Sequence, residues 1–290
     1  MAFSLAGSSG SSLRLLESIR TSKAAYDNST LRVASGLRIN SSSDDPGGLA
    51  LGTKLQSEAT LANAIKSNVD NAKSYADAQI TALTSIQTLI ADMQTAKAEY
   101  DAATGDAATQ ATKQNTFENL QKQVYNLSKE TFNGQSLFNR GSNMSLVTST
   151  DGGQSIVLED IDLSGAGPPA TGALLQGSGT YKFSDTTFTD ALSSGTSSAD
   201  LTAIADAVTA KLGEASADSS VLGYASSFLE SKATNLEAAR SNIMDADAAE
   251  ELINQTKHKI QYETAVAALA QANATQETVM NILLFGKTGN

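Results

Sequence analysis

The chain has no cysteine, no tryptophan, a single histidine and three prolines in 290 residues. Without cysteine, disulfides and thiolate metal sites are both excluded. A lone histidine, His258, rules out a paired-histidine zinc site. Aromatics make up 5% of the residues, so the bulky side chains that fill a compact globule are scarce. No run approaches the roughly 20 apolar residues of a membrane-crossing helix. Arg14 is the first basic residue and no cleavable apolar block follows it, so export would use a route other than a cleaved signal peptide. Basic residues are outnumbered, 20 Lys and Arg against 31 Asp and Glu, and the net charge is −11. That balance argues against duplex nucleic acid as a partner, because neutralising phosphates needs clustered cations. Residues 141–218 hold ten acidic side chains and only two lysines, which read as an outward-facing solvated surface rather than a cation site.

What is present lies mostly at the two ends, which are alanine-rich, patterned for helix and separated by a Gly-, Ser- and Thr-rich middle. The run Ala265 to Ala274, AVAALAQANA, holds six alanines, and Val279-Met280-Asn281-Ile282-Leu283-Leu284-Phe285 follows. A helix of that kind cannot bury its apolar side alone, so it needs a partner helix or other copies of itself. The pattern points to assembly rather than catalysis.

Along the chain, residues 11–34 predict a helix with Leu13, Leu16 and Ile19 on one side, after a Gly/Ser-rich start. Ser43-Asp44-Asp45-Pro46-Gly47-Gly48 is a break and a helix start. Spacings then alternate between three and four through Ala62, Ile65, Val69, Ala72, Ala76, Gln79, Leu83, Ile86, Ile90 and Met93, a coiled-coil seam. A turn at Thr104-Gly105-Asp106 separates it from a second seam of Phe117, Leu120, Val124 and Leu127. Two short β-branched runs, 145–148 and 155–158, flank Asp151-Gly152-Gly153 and read as a hairpin, with a further strand expected between Tyr181 and Phe188. Helical spacing returns through Leu201, Ile204, Val208 and Leu212, then Leu222, Leu229, Leu236 and Ile243. Asp245-Ala246-Asp247 opens a last helix reaching about Leu284. The expected fold is mainly α: a long antiparallel helical bundle or coiled coil of N- and C-terminal helices with a small β-hairpin insert.

Signals for chemistry are few. Helix capping accounts for Asp44-Asp45 and for Asp245–Asp247 more simply than acid/base work or calcium binding. Gly47, Gly48 and Gly52 precede no Gly-Lys-Ser/Thr, so they form no phosphate loop. His258, between Lys257 and Lys259, reads as a surface residue, and Tyr100, Tyr125 and Tyr262 as packing residues. No catalytic residue, metal or cofactor is expected.

The segment Leu31-Arg32-Val33-Ala34-Ser35-Gly36-Leu37-Arg38-Ile39-Asn40, continuing through Ser43 to Ala50, closely resembles the amino-terminal signature of bacterial flagellins. Ala239 to Asp247, then Val266 to Ala274 and Val279 to Leu284, resemble their carboxy-terminal one, and Thr131-Phe132-Asn133-Gly134-Gln135-Ser136-Leu137-Phe138 their entry to the hairpin. The resemblance covers residues 13–164 and 200–284. It implies a secreted, extracellular filament subunit that self-assembles as a homo-polymer, is served by a flagellar export chaperone and a cap protein, and touches neither membrane nor nucleic acid. By the same resemblance, residues 1–44 and 248–290 form an inner tube, 45–165 and 198–247 a helical rod with the hairpin, and 166–197 a short exposed insert in place of large outer domains. Tube assembly would fall to Leu13, Leu16, Ile19, Ile253, Ile260, Leu269, Ile282 and Leu283. Rod packing would fall to Ile65, Val69, Leu83, Ile86, Ile90, Leu229 and Leu236. Arg32, Arg38, Asp44 and Asp45 would sit at the junction between layers.

Two departures and two alternatives accompany this reading. Where many flagellins carry an arginine- and leucine-bearing patch recognised by an animal innate immune receptor, this chain has Ile90 to Glu99, with Asp92 in place of the arginine and Ala96 in place of the leucine. Weak or absent receptor recognition is therefore expected. The tail Gly286–Asn290 runs past the end of the family pattern. A hook–filament junction protein shares the terminal helices but does not form long polymers. An enzyme displayed on the scaffold is disfavoured by the short insert and the single histidine.

Overall fold

The structure is a computed structural model, and it describes residues 3–163, 176–177, 181–182 and 198–285. It is mainly helical: α1 Phe3–Ser35, α2 Pro46–Ala102, α3 Ala107–Ser128, α4 Ser198–Met244 and α5 Ala248–Phe285. Three two-stranded antiparallel ribbons complete it: β1 Thr131–Phe132 with β2 Gln135–Ser136, β3 Met144–Val147 with β4 Ser155–Leu158, and β5 Gln176–Gly177 with β6 Tyr181–Lys182. The chain divides into two compact units, Met1–Ser57 with Asn235–Asn290 and Glu58–Thr234. No described helix is long and apolar enough to cross a membrane.

Several boundaries follow from single residues. Helix α1 begins at Phe3, earlier than the Gly/Ser-rich start suggests, and runs through Gly7 and Gly10. Each helical glycine costs about 1 kcal/mol, and a helix already nucleated propagates through it. It ends where Gly36 takes φ +71°, with its N–H donating to the Arg32 carbonyl at 2.9 Å. Gly105, at φ +95°, turns α2 into α3, and the Asp106 carboxylate then caps α3 by accepting from the Ala108 and Thr109 N–H groups. The two helical patterns read around Leu212 and Leu222 belong to one 47-residue helix, α4, with Gly213 inside it.

The second unit has a continuous apolar interior. Ala62, Val69, Ala76, Leu83 and Ile90 on α2 recur every seven residues, and none is more than 1% exposed. Leu201, Val208, Ala215, Leu222 and Leu229 repeat the same step on α4 at the same burial. Phe117 and Val124 of α3 join this core. A polar ladder beside the seam fixes its antiparallel register. Lys66 reaches Glu230 at 3.7 Å, and Ser226 donates to Asp70 at 2.6 Å. Ser219 donates to Asp77 at 2.6 Å, and Gln87 to Thr209 at 3.0 Å. Each step forward on α2 is matched by an equal step back on α4.

The ribbon β3–β4 forms as expected, with Leu146 opposite Ile156. Leu158 is buried against the α2–α4 core, and Met144, Leu146 and Ile156 pack beside it. Asn133-Gly134 makes the tight turn of β1–β2, both residues at positive φ. The strand expected between Tyr181 and Phe188 is found over Tyr181–Lys182, paired to Gln176–Gly177; residues 183–188 lie outside the described residues, as does most of the 166–197 insert.

Candidate assembly surfaces

Within the first unit, α1 and α5 pair antiparallel: Ser12 meets Gln276 at 3.1 Å, Thr30 meets Gln255 at 3.0 Å, and Arg32 meets Glu251 at 3.2 Å. What these helices bury is small or polar: Ser22, Ser29, Ala265 and Glu251. Their large apolar residues face water. Leu13 and Ile253 are each 68% exposed and Ile260 58%, and Leu16, Leu31, Leu252, Val266, Val279 and Met280 are exposed too. Ile19 and Leu269 are half-buried. The side chains of Ile282 and Leu283 lie outside the described residues. On α5, Leu252, Ile253 and Ile260 line an open apolar depression with Thr256, Lys257 and Gln261. Exposed leucine and isoleucine on one face of a long helix mark a surface that another protein surface covers.

At the ends of α1 and α4 two chain breaks are stitched together. The Arg38 N–H donates to the Met244 carbonyl at 2.7 Å and its guanidinium to the Ile243 carbonyl at 2.6 Å. The Ala246 N–H returns to the Gly36 carbonyl at 2.9 Å, and Leu37 bridges to Asp245. Arg32 lies between two carboxylates, Glu251 at 3.2 Å and Asp44 at 3.9 Å. Glu251 is buried, and its second oxygen has no partner among the described residues, so Arg32 carries the compensation of that charge. Asp44 takes the Ser41 and Asn40 N–H groups and the Ser41 hydroxyl, and these bonds hold its carboxyl below the usual carboxylate range. Asp45 caps α2 through the Gly48 N–H at 2.8 Å, and Asp247 caps α5 through the Ala249 N–H at 2.8 Å.

The glycines of this motif mark close approaches. A methyl group on Gly48 would stand 2.6 Å from Ile39 Cδ1, and Ile39 is fully buried. One on Gly52 would stand 2.6 Å from the Met244 sulfur. The four junction residues, Arg32, Arg38, Asp44 and Asp45, thus all make contacts within the chain.

Of the rod residues, Ile65, Val69, Leu83, Ile86, Ile90 and Leu229 are buried, and all lie in the second unit. Leu236 is half-buried and belongs to the first unit. Sequence reasoning missed the groups that seat the β1–β2 ribbon on α2. The Tyr75 hydroxyl donates to the Ser136 carbonyl at 2.6 Å and Gln79 donates to the Leu137 carbonyl at 2.6 Å. Arg140 lies over the Tyr75 ring at 5.2 Å, and the Asp160 carboxylate accepts from the Arg140 and Gly141 N–H groups. Burial pushes the Tyr75 phenol up, which keeps it neutral and donating. The only sequence signal for this cluster was a polar residue, Gln79, at an apolar seam position.

Nothing in the described residues assembles chemistry. They contain no group of three or more metal-ligating side chains. His258 bonds Gln261 at 3.1 Å, one turn along its own helix. The architecture defines a structural protein: a self-sufficient helical rod joined in sequence to a helix pair whose apolar face is turned outward.

The comparisons agree. Residues 8–143 match the bacterial flagellin N-terminal helical region and residues 199–283 the bacterial flagellin C-terminal helical region. A flagellin of Listeria innocua is 27% identical over 282 residues, covering 94% of this chain and 96% of its own. A flagellin of Halalkalibacterium halodurans is 26% identical over 260 residues, covering 87% and 89%. The flagellar filament 33 kDa core protein of Treponema phagedenis is 43% identical over 51 residues, 18% of each chain. The chain belongs to the bacterial flagellin family, and it is a structural protein, not an enzyme.

Proposed function

We propose that this chain polymerises helically into the bacterial flagellar filament through the outward apolar faces of α1 and α5, serving swimming motility. One observation carries the reading: Leu13, Ile253 and Ile260 lie in water while the seam they flank buries serine, alanine and a salt bridge. Packing Leu16, Ile19, Leu269, Ile282 and Leu283 with them against neighbouring copies removes that surface from water, at roughly 25 cal/mol per Å². Residues 1–44 and 248–290 then form the inner tube, 45–165 with 198–247 the rod, and 166–197 the outer insert. Arg32, Arg38, Asp44 and Asp45 set the angle of the break at which the tube helices leave the rod. The subunit is exported to the cell exterior with the help of a chaperone and added beneath a cap protein. The hook–filament junction alternative gains no support from the relatives, which are flagellins and a filament core protein.

Purified monomer seeded with sheared filament ends tests this by electron microscopy. The full chain grows long filaments, and chains lacking residues 1–44 or 248–290 do not. A monomer that adds only a short cap and never elongates contradicts the reading. Receptor recognition is weak on this account, since Asp92 is exposed and acidic and Ala96 is buried. Full-strength activation in a cell reporter assay would refute it.

A further inference from the structure

The second unit also carries an apolar surface that its own packing leaves uncovered. Val221, Tyr224 and Phe228 stand at helical spacing on α4 and are 47%, 79% and 65% exposed. They line an open groove against the hairpin segment from Gln154 to Ile156. This face is not part of the α1–α5 surface described above, and burial of the α2–α4 seam does not need it. Tyrosine and phenylalanine one helical turn apart are the residue types that anchor protein interfaces.

One turn before Val221, Asp218 is half-buried and has no hydrogen-bond or ion-pair partner among the described residues. It faces Glu159 and Glu214, and burial followed by these like charges pushes its carboxyl above the usual range. Glu214 already pairs with Lys211 at 2.7 Å. The stripe therefore ends in uncompensated negative charge.

Most cations of this unit are taken: Lys66, Lys73, Lys97 and Lys113 each pair with a carboxylate of the chain. The outer face of α3 differs. Lys122 is exposed and makes no ion pair among the described residues, and Lys129, just past the end of the helix, lies over the Tyr125 ring at 5.6 Å. That face is basic with an aromatic surface beside it, the complement of the α4 stripe in charge and in chemistry.

We propose that the α4 stripe docks on the α3 face of a second copy of this chain, with Asp218 receiving Lys122 and with Tyr224 and Phe228 covering Tyr125. The two patches differ, so the contact is heterologous and each added copy leaves one patch of each kind free. Such a contact propagates as an open helical polymer instead of closing as a dimer. The proposal rests on the filament-subunit reading and adds to it a rod-to-rod contact independent of the terminal helices.

Seeded elongation of the full chain tests it with Asp218→Lys, Lys122→Glu and the two combined, and separately with Tyr224→Ser plus Phe228→Ser. Each charge reversal alone slows elongation about tenfold, and the combination restores it to within about threefold. The aromatic double variant slows it at least as much, while monomer melting stays unchanged because both side chains are exposed. Single reversals that elongate at the unsubstituted rate, or a combination that fails to restore it, overturn the contact while the terminal-helix reading stands. If Asp218→Lys lowers the helix content of the monomer, the aromatic pair decides alone: normal growth overturns the contact and slow growth supports it. Failure of the unsubstituted chain to elongate overturns both readings.

Discussion

The two units use the same material, long helices with alanine and leucine at regular spacing, and bury it in opposite senses. In Glu58–Thr234 the leucines and isoleucines point inward, with the polar ladder of Asp70, Ser226, Asp77 and Ser219 along the flank. In Met1–Ser57 with Asn235–Asn290 the polar and small residues are inside and the leucines and isoleucines are outside. A chain pattern alone says that a helix has an apolar face; it does not say whether that face meets the same molecule or the next one. The difference assigns stability of the monomer to the second unit and assembly to the first.

The largest expected effect breaks the interior of the second unit. Leu83→Ala leaves a hole where the side chain is fully buried, and it costs about 3 kcal/mol of monomer stability in urea unfolding. Arg32→Ala probes the one charge that the first unit buries. It strands Glu251, whose second oxygen is already unpartnered, and costs about 2 kcal/mol by the same measurement.

Acid gives a smaller effect, confined to the ladder. The Ser226 hydroxyl, then Lys66, holds the Asp70 carboxyl below its ordinary value, and Lys73, then Ser219, does the same for Asp77. A carboxyl lowered in the folded state binds protons less readily there than when unfolded. Its stabilisation is therefore complete above the ordinary aspartate value and disappears as pH falls through the lowered one. Asp70→Asn with Asp77→Asn accordingly lowers the urea midpoint at pH 7, and the gap to the unsubstituted chain closes in strong acid. A gap that stays constant with pH would show that the ladder acts without its charges. The smallest shift in monomer stability, within about 0.5 kcal/mol, is expected for Ile253→Ser, yet seeded growth by that variant should stop. That pairing with Leu83→Ala separates the two kinds of burial directly.

How much of this was visible in the sequence follows the same division. The rod seam was legible because large apolar residues recur at coiled-coil spacing, and the breaks at Gly36, Gly105 and Asn133-Gly134 were legible because their backbone demands those residues. The seam between α1 and α5 was not. Ser22, Ser29 and Ala265 look like surface residues, and their burial follows from a partner helix more than 200 positions away. The junction was recognisable as a motif, but its logic was not: Arg32 finds Glu251 across 219 positions, and Gly52 gives way to Met244. Register was also hidden, since a seven-residue repeat on both α2 and α4 permits several alignments until Asp70 meets Ser226. Tyr75 and Arg140 pack through chain segments that carry no periodicity at all.

The central claim is that the first unit completes its burial only between copies. Amide hydrogen exchange, compared between monomer and filament, tests it most directly. The account predicts that Phe3–Ser35 and Ala248–Phe285 exchange rapidly in the monomer and become protected in the filament, while the amides of α2 and α4 between residues 58 and 234 are protected in both. Terminal helices protected to the same degree in the monomer as in the filament would contradict it.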